Sequence, residues 1–165
     1  MTEAEKRLHR CCFTGHRPEK LKKSESELGR LLEQEIQKAV DLGFTTFISG
    51  GAKGTDIIAA EIVLRVRQSD PRLKLICALP HEGFGEHWDR GWTERFRRVL
   101  NEADLVRYVS RDFSYASYQV RNEWMVRHST LVIAVYNGGK GGTKNTLAFA
   151  KAQNIPCVII EDRPG

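Results

Sequence analysis

Two glycine-rich runs hold the clearest chemistry in this chain: Ser49-Gly50-Gly51-Ala52-Lys53-Gly54-Thr55-Asp56 and Asn137-Gly138-Gly139-Lys140-Gly141-Gly142-Thr143. Each follows an apolar, strand-like stretch and precedes an apolar, helix-like one. A strand that turns through glycines into a helix presents backbone N–H groups that have no intrahelical acceptor. With the helix dipole, those groups make an anion site. Glycine suits the turn because it accepts positive φ and lets a ligand approach the backbone closely. Two such loops together argue for a phosphorylated ligand. The first loop is not the dinucleotide fingerprint, since its spacing is Gly-Gly-x-x-Gly and it follows the second predicted strand. It is not a Walker loop either, because no Gly-Lys-Ser/Thr follows.

Other residues of chemical interest cluster near the same predicted strand ends. After the first strand comes Thr14-Gly15-His16-Arg17-Pro18. Arg17 is either an exposed charge or a bidentate phosphate partner. His16 is either a satisfied structural histidine or a contact to sugar or base. Thr55 and Asp56 stand where a helix begins, and Asp favours that end. A carboxylate beside a phosphate is repulsive, so Asp56 is expected to face sugar, base or protein. Arg121 and Asn122 lie in a predicted helix, as a solvated face or as ligand contacts. Trp88 is either core or a surface for stacking a base. His81, Glu82, Glu86 and His87 match no metal spacing, and no metal site is expected. No Ser-His-Asp order or activated cysteine setting is visible. Glu61, Glu82 and Asp89 are available carboxylates, but no catalytic residue is assigned.

The elements that must position these groups alternate in type. Strands are predicted at residues 9–13, 44–48, 73–79, 105–109, 131–136 and 155–160. Helices are predicted from a Ser24 cap to Gly43, over 55–67, from Trp88 to Ala103, over 115–128 and over 143–152. Ser24-Glu25-Ser26-Glu27 reads as a capping box. Strict alternation implies a parallel sheet covered by helices. The continuous runs LICAL, LVIAVY and CVII suit strands buried on both faces. The expected fold is therefore α/β: a Rossmann-like, doubly wound, mainly parallel sheet of about six strands with helices on both faces. In such sheets ligands bind outside the carboxyl ends of the strands. The glycine loops and the Gly15–Pro18 turn all fall at that end.

With 165 residues and 41% hydrophobic content, the chain suits one domain over residues 1–165 with a sizeable core. The net charge of +5 is mild and well mixed, and no basic run resembles a nucleic-acid tail. The four cysteines form no C-x-x-C pair and read as reduced and structural. No apolar run reaches signal or membrane-spanning length, so a soluble, cytoplasmic protein without membrane partners is expected.

In order and spacing, Gly15-His16-Arg17-Pro18, the Ser49–Asp56 loop, Arg121-Asn122 and Gly141-Gly142-Thr143 resemble the SLOG superfamily. That group joins the DNA-processing protein DprA with LOG-type cytokinin-activating hydrolases. The most similar branch is the YpsA-like family of small bacterial and phage proteins. The resemblance runs from Cys11 to about Ile160. It implies binding of a nucleotide or nucleotide-derived ligand of ADP-ribose type, with no cofactor required. The implied contacts are Gly15, His16, Arg17, Gly50, Gly51, Ala52, Gly54, Thr55, Asp56, Arg121, Asn122, Gly141, Gly142 and Thr143. A homodimer is a further expectation of the resemblance. LOG-type hydrolases resemble a Pro-Gly-Gly-x-Gly-Thr-x-x-Glu pattern, and here Thr146 takes the glutamate's place. Nucleotide N-glycosidase activity is therefore an alternative rather than the first expectation. Single-stranded nucleic-acid binding of DprA type is the other alternative.

Overall fold

Apolar runs flanked by amphipathic segments resolve into six strands and six helices in the computed structural model, which describes residues 1–163. The chain runs α1 (Glu3–Arg7), β1 (Arg10–Gly15), α2 (Glu25–Asp41), β2 (Thr46–Ser49), α3 (Thr55–Arg67) and β3 (Lys74–Leu79). It continues through α4 (Arg90–Glu102), β4 (Leu105–Tyr108), α5 (Tyr115–Arg127), β5 (Leu131–Tyr136), α6 (Gly142–Ala152) and β6 (Cys157–Glu161). A short 3-10 turn, Pro18–Lys20, leads from β1 toward α2.

The strands form one parallel sheet in the order β4-β3-β2-β1-β5-β6. Successive strand residues point to opposite faces, and each face has its own core. Phe13, Phe47, Leu75 and Ile133 join Leu32, Ile57 and Phe96 beneath α2, α3 and α4. Cys12, Ile48, Val132 and Ala134 meet Met125, Val126 and Ala150 beneath α5 and α6. This is the doubly wound architecture. The strand order turns back between β1 and β5, and that crevice is where such sheets hold ligands.

Local details depart from the sequence pattern in instructive ways. β1 extends past Phe13 to Gly15 because Thr14 and Gly15 pair with Ala134 and Val135 of β5. The Ser24 hydroxyl accepts from the Glu27 amide at 3.1 Å, but the Glu27 carboxylate turns to Lys23 at 3.6 Å. The predicted capping box is therefore only half formed there. A full box sits instead at Thr2 and Glu5, starting α1, which the apolar pattern does not predict because it buries nothing. Cys11, Cys12 and Cys77 are buried, and burial pushes the Cys12 and Cys77 thiols up to about 12. No described helix is long and apolar enough to cross a membrane.

Candidate functional site

A cleft of about 350 Å³ opens at the carboxyl end of β1, beside the switch between β1 and β5. Nine of the fourteen residues expected from the sequence line it: Gly15, His16, Arg17, Ala52, Asp56, Arg121, Asn122, Gly142 and Thr143. Gly50, Gly51, Gly54, Thr55 and Gly141 do not line it. The loops leaving β2 and β5 thus meet at one cavity, but they contribute differently.

The loop after β2 is closed on itself. The Gly51 amide donates to the Ser49 hydroxyl at 3.2 Å, and the Ala52 amide donates to Asp56 Oδ2 at 3.2 Å. The Thr55 amide donates to the His16 carbonyl at 3.2 Å, and the Ile57 amide donates to the Ala52 carbonyl at 3.2 Å. Of the Gly50–Gly54 amides, those of Gly51 and Ala52 are thus spent on protein oxygens rather than left for a phosphate. Gly54 makes this closure sterically feasible. It has φ +87°, and a Cβ there would sit 2.6 Å from the His16 carbonyl oxygen. Thr55 is buried, and its hydroxyl also donates to that carbonyl, at 3.1 Å.

The loop after β5 is half closed and half open. Its first part is internally satisfied: the Asn137 amide donates to His16 Nε2 at 2.9 Å, and the Gly139 amide donates to the Asn137 side chain at 2.8 Å. The second part begins α6. Its cap, Gly141, has φ +134° and no side chain to bond the first turn. Among the described residues, the amides of Gly142, Thr143 and Lys144 meet no protein acceptor. Gly142 and Thr143 line the cleft, so an uncapped helix N-terminus faces it.

Three cations and two carboxylates set the cleft's electrostatics: Arg17, Lys20, Arg121, Glu19 and Asp56. Arg121 is 5% exposed and forms no ion pair among the described residues. Its guanidinium donates instead to the Gly50 carbonyl and, at 2.8 Å, to Asn122 Oδ1. Gly50 is needed beneath it, since a Cβ there would meet Arg121 Nη1 and Asp56 Oδ2, each at 2.8 Å. Burial raises the Asp56 carboxyl from 3.8 to about 6, outweighing the lowering by Arg121, the Ala52 amide and Arg17. Burial also lowers the His16 imidazole, as suits a ring whose Nε2 accepts a backbone N–H.

The sequence reading passed over Lys20, Tyr118 and Met125, all of which line the cleft. Lys20 ends the 3-10 turn, and its Nζ would lie 3.8 Å from a Cβ on Gly141. Tyr118 and Met125 stand three or four positions from Arg121 and Asn122 along α5, so helical spacing was the available signal. Trp88 packs edge-on against Phe84 and Phe96, each at 5.1 Å, and does not line the cleft. Thr146 is buried and donates to the Gly142 carbonyl at 2.8 Å.

Fold and crevice together define a doubly wound α/β domain with its cavity at the topological switch. The sequence pattern of the YspA SLOG family matches residues 11–157, and the chain belongs to that family. It is 37% identical over 117 residues to an uncharacterized SPbeta prophage-derived protein, YoqJ, of Bacillus subtilis, covering 64% of this chain and 68% of that one. It is 24% identical over 116 residues to the UPF0398 protein BH1768 of Halalkalibacterium halodurans, covering 69% of this chain and 61% of that one. Its fold is similar to that of DNA processing protein A from two bacteria. The Helicobacter pylori structure, described for its single-stranded DNA binding mode, superposes with TM-score 0.65 and 18% identity, over 98% of this chain and 68% of that one. The Streptococcus pneumoniae structure gives TM-score 0.68 and 18% identity, over 96% of this chain and 51% of that one.

Proposed function

We propose that the cleft binds a nucleotide or a nucleotide-derived molecule of ADP-ribose type, with an anionic group at the start of α6. The observation that carries this reading is the uncapped α6 N-terminus opening on a cleft that also holds Arg17 and Lys20. The anion would take the Gly142 and Thr143 amides, with Lys20 and Arg17 adding charge. The Asn122 amide nitrogen, which donates to nothing among the described residues, would hold the sugar or a second oxygen. This places the anion on one glycine loop and gives the other a structural role. Asp56 would face sugar or base, away from the phosphate.

Thermal shift and calorimetry with ADP-ribose, NAD and AMP test the reading. A ligand that binds only the native state at one hundred times its Kd adds about 2.7 kcal/mol of stability. The expected result is a rise in Tm that Lys20→Ala with Arg17→Ala abolishes. No rise with any of them at millimolar concentration would overturn it. Two further arms separate the other occupants. Binding to an oligonucleotide that weakens steeply with salt would favour a nucleic-acid strand, as described for the H. pylori neighbour. Release of adenine from AMP would favour hydrolysis, for which Thr146 supplies no carboxylate.

A further inference from the structure

A row of aromatic rings runs from the cleft out to solvent, and the anion site does not account for it. Tyr118 lines the cleft. Tyr115, Tyr118, Asn122 and Met125 recur at helical spacing along α5, so Tyr115 continues the cleft-facing stripe one turn outward. Tyr115 is 86% exposed and Phe113 is 56% exposed. The rings touch in sequence, with centroids 5.4 Å apart for Phe113 and Tyr115 and 6.4 Å apart for Phe113 and Tyr118.

This row is held in place. Ser114 caps α5 by accepting from the Ser117 amide at 3.1 Å, which fixes the turn that carries Phe113. His81 packs edge-on against Phe113 at 5.2 Å and against Tyr118 at 6.0 Å. Its Nδ1 is engaged with the Glu82 carbonyl at 2.7 Å, while its buried Nε2 has no partner among the described residues. Two exposed rings and a third in the cleft suit an occupant that is flat and can stack.

Spacing along α5 agrees. Asn122 lies against Gly142, its Nδ2 being 3.8 Å from where a Gly142 Cβ would stand. At the rise of an α-helix, Tyr118 is about 6 Å and Tyr115 about 10 Å from Asn122 along the axis. The nearer separation suits the sugar between the phosphate and base of one nucleotide. The farther one calls for a second phosphate or a longer ligand. We infer that Phe113, Tyr115 and Tyr118 form a stacking subsite for the nucleobase of a ligand whose phosphate meets α6. The inference rests on the nucleotide reading above and adds where the base goes.

Calorimetry with AMP, ADP and ribose 5-phosphate, on the native chain and on the double variant Phe113→Ala/Tyr115→Ala, tests it. Both side chains are exposed, so the variant keeps its fold; an unchanged urea midpoint checks this. Loss of stacking lowers ADP affinity about tenfold, lowers AMP affinity less because its base stays on Tyr118, and leaves ribose 5-phosphate affinity unchanged. Equal losses for all three ligands, or no loss for AMP and ADP, would overturn the subsite while leaving the phosphate site standing. A variant that changes oligomeric state and leaves base affinity untouched would assign the rings to a second copy, and also overturns it. Failure of the native chain to bind any of the three removes both readings.

Discussion

Asp56 and Arg121 are buried together without balancing each other. Arg121 spends its guanidinium on the Gly50 carbonyl and Asn122, and Asp56 spends an oxygen on the Ala52 amide. Burial therefore dominates the carboxyl, which holds its proton up to about pH 6 against 3.8 when exposed. The native state then binds more protons than the unfolded chain between those values. The stability this group contributes is complete below 3.8 and is lost as pH rises through about 6. Asp56→Asn removes the titration while keeping an acceptor for the Ala52 amide. Urea melts at pH 4.5 and 7.5 should show the native chain losing about 2 kcal/mol more than the variant over that interval. His16 works in the opposite sense. Its lowered imidazole favours the native state above 6.5, and that contribution fades as pH falls below it. A ligand that places a hydroxyl on Asp56 would favour the ionised carboxylate and so bind better above pH 6.

Among the elements, the two glycine loops look alike in sequence and differ in structure. The β2–α3 loop is a latch: Gly54 lets the His16 carbonyl cap α3, through the Thr55 amide and hydroxyl. Gly54→Ala adds a left-handed strain and a clash with that carbonyl, and is expected to cost about 3 kcal/mol. Gly142→Ala is expected to leave stability unchanged, because a Cβ there meets only Asn122 Nδ2, at 3.8 Å. Chemical denaturation of the two variants side by side checks both. This contrast marks how far the sequence could be read. β5 keeps its predicted ends and the alternation of strand and helix is plain, because buried parallel strands read as continuous apolar runs. The end of β1 could not be read the same way, since its pairing with Val135 lies far along the chain. That both loops are turns follows from their glycines. Which loop keeps its amides open depends on distant acceptors, the His16 carbonyl and the Asp56 carboxylate, which no local pattern announces. Tyr118 was legible only through its helical spacing from Arg121 and Asn122, and Lys20 sits in a three-residue turn that carries no periodic pattern.

Across the whole molecule, the chain's last strand is tied to its first turn. Asp162, fully buried, accepts from the Lys22 and Lys23 amides at 2.8 and 2.9 Å, while its own amide donates to Tyr136 at 2.9 Å. This clasp fixes the segment between the 3-10 turn that carries Lys20 and the start of α2. Asp162→Ala strands two partly buried N–H groups and is expected to lower stability by about 2 kcal/mol, read as a lower urea midpoint at constant m-value. The main helix–helix contacts run within a layer: α2 with α3, α3 with α4, and α5 with α6. The cleft departs from that division, with Ala52 and Asp56 from one side of the sheet and Arg121 and Gly142 from the other. A molecule seated there would act as a keystone between two half-shells, so that its arrival and departure stiffen or slacken both at once.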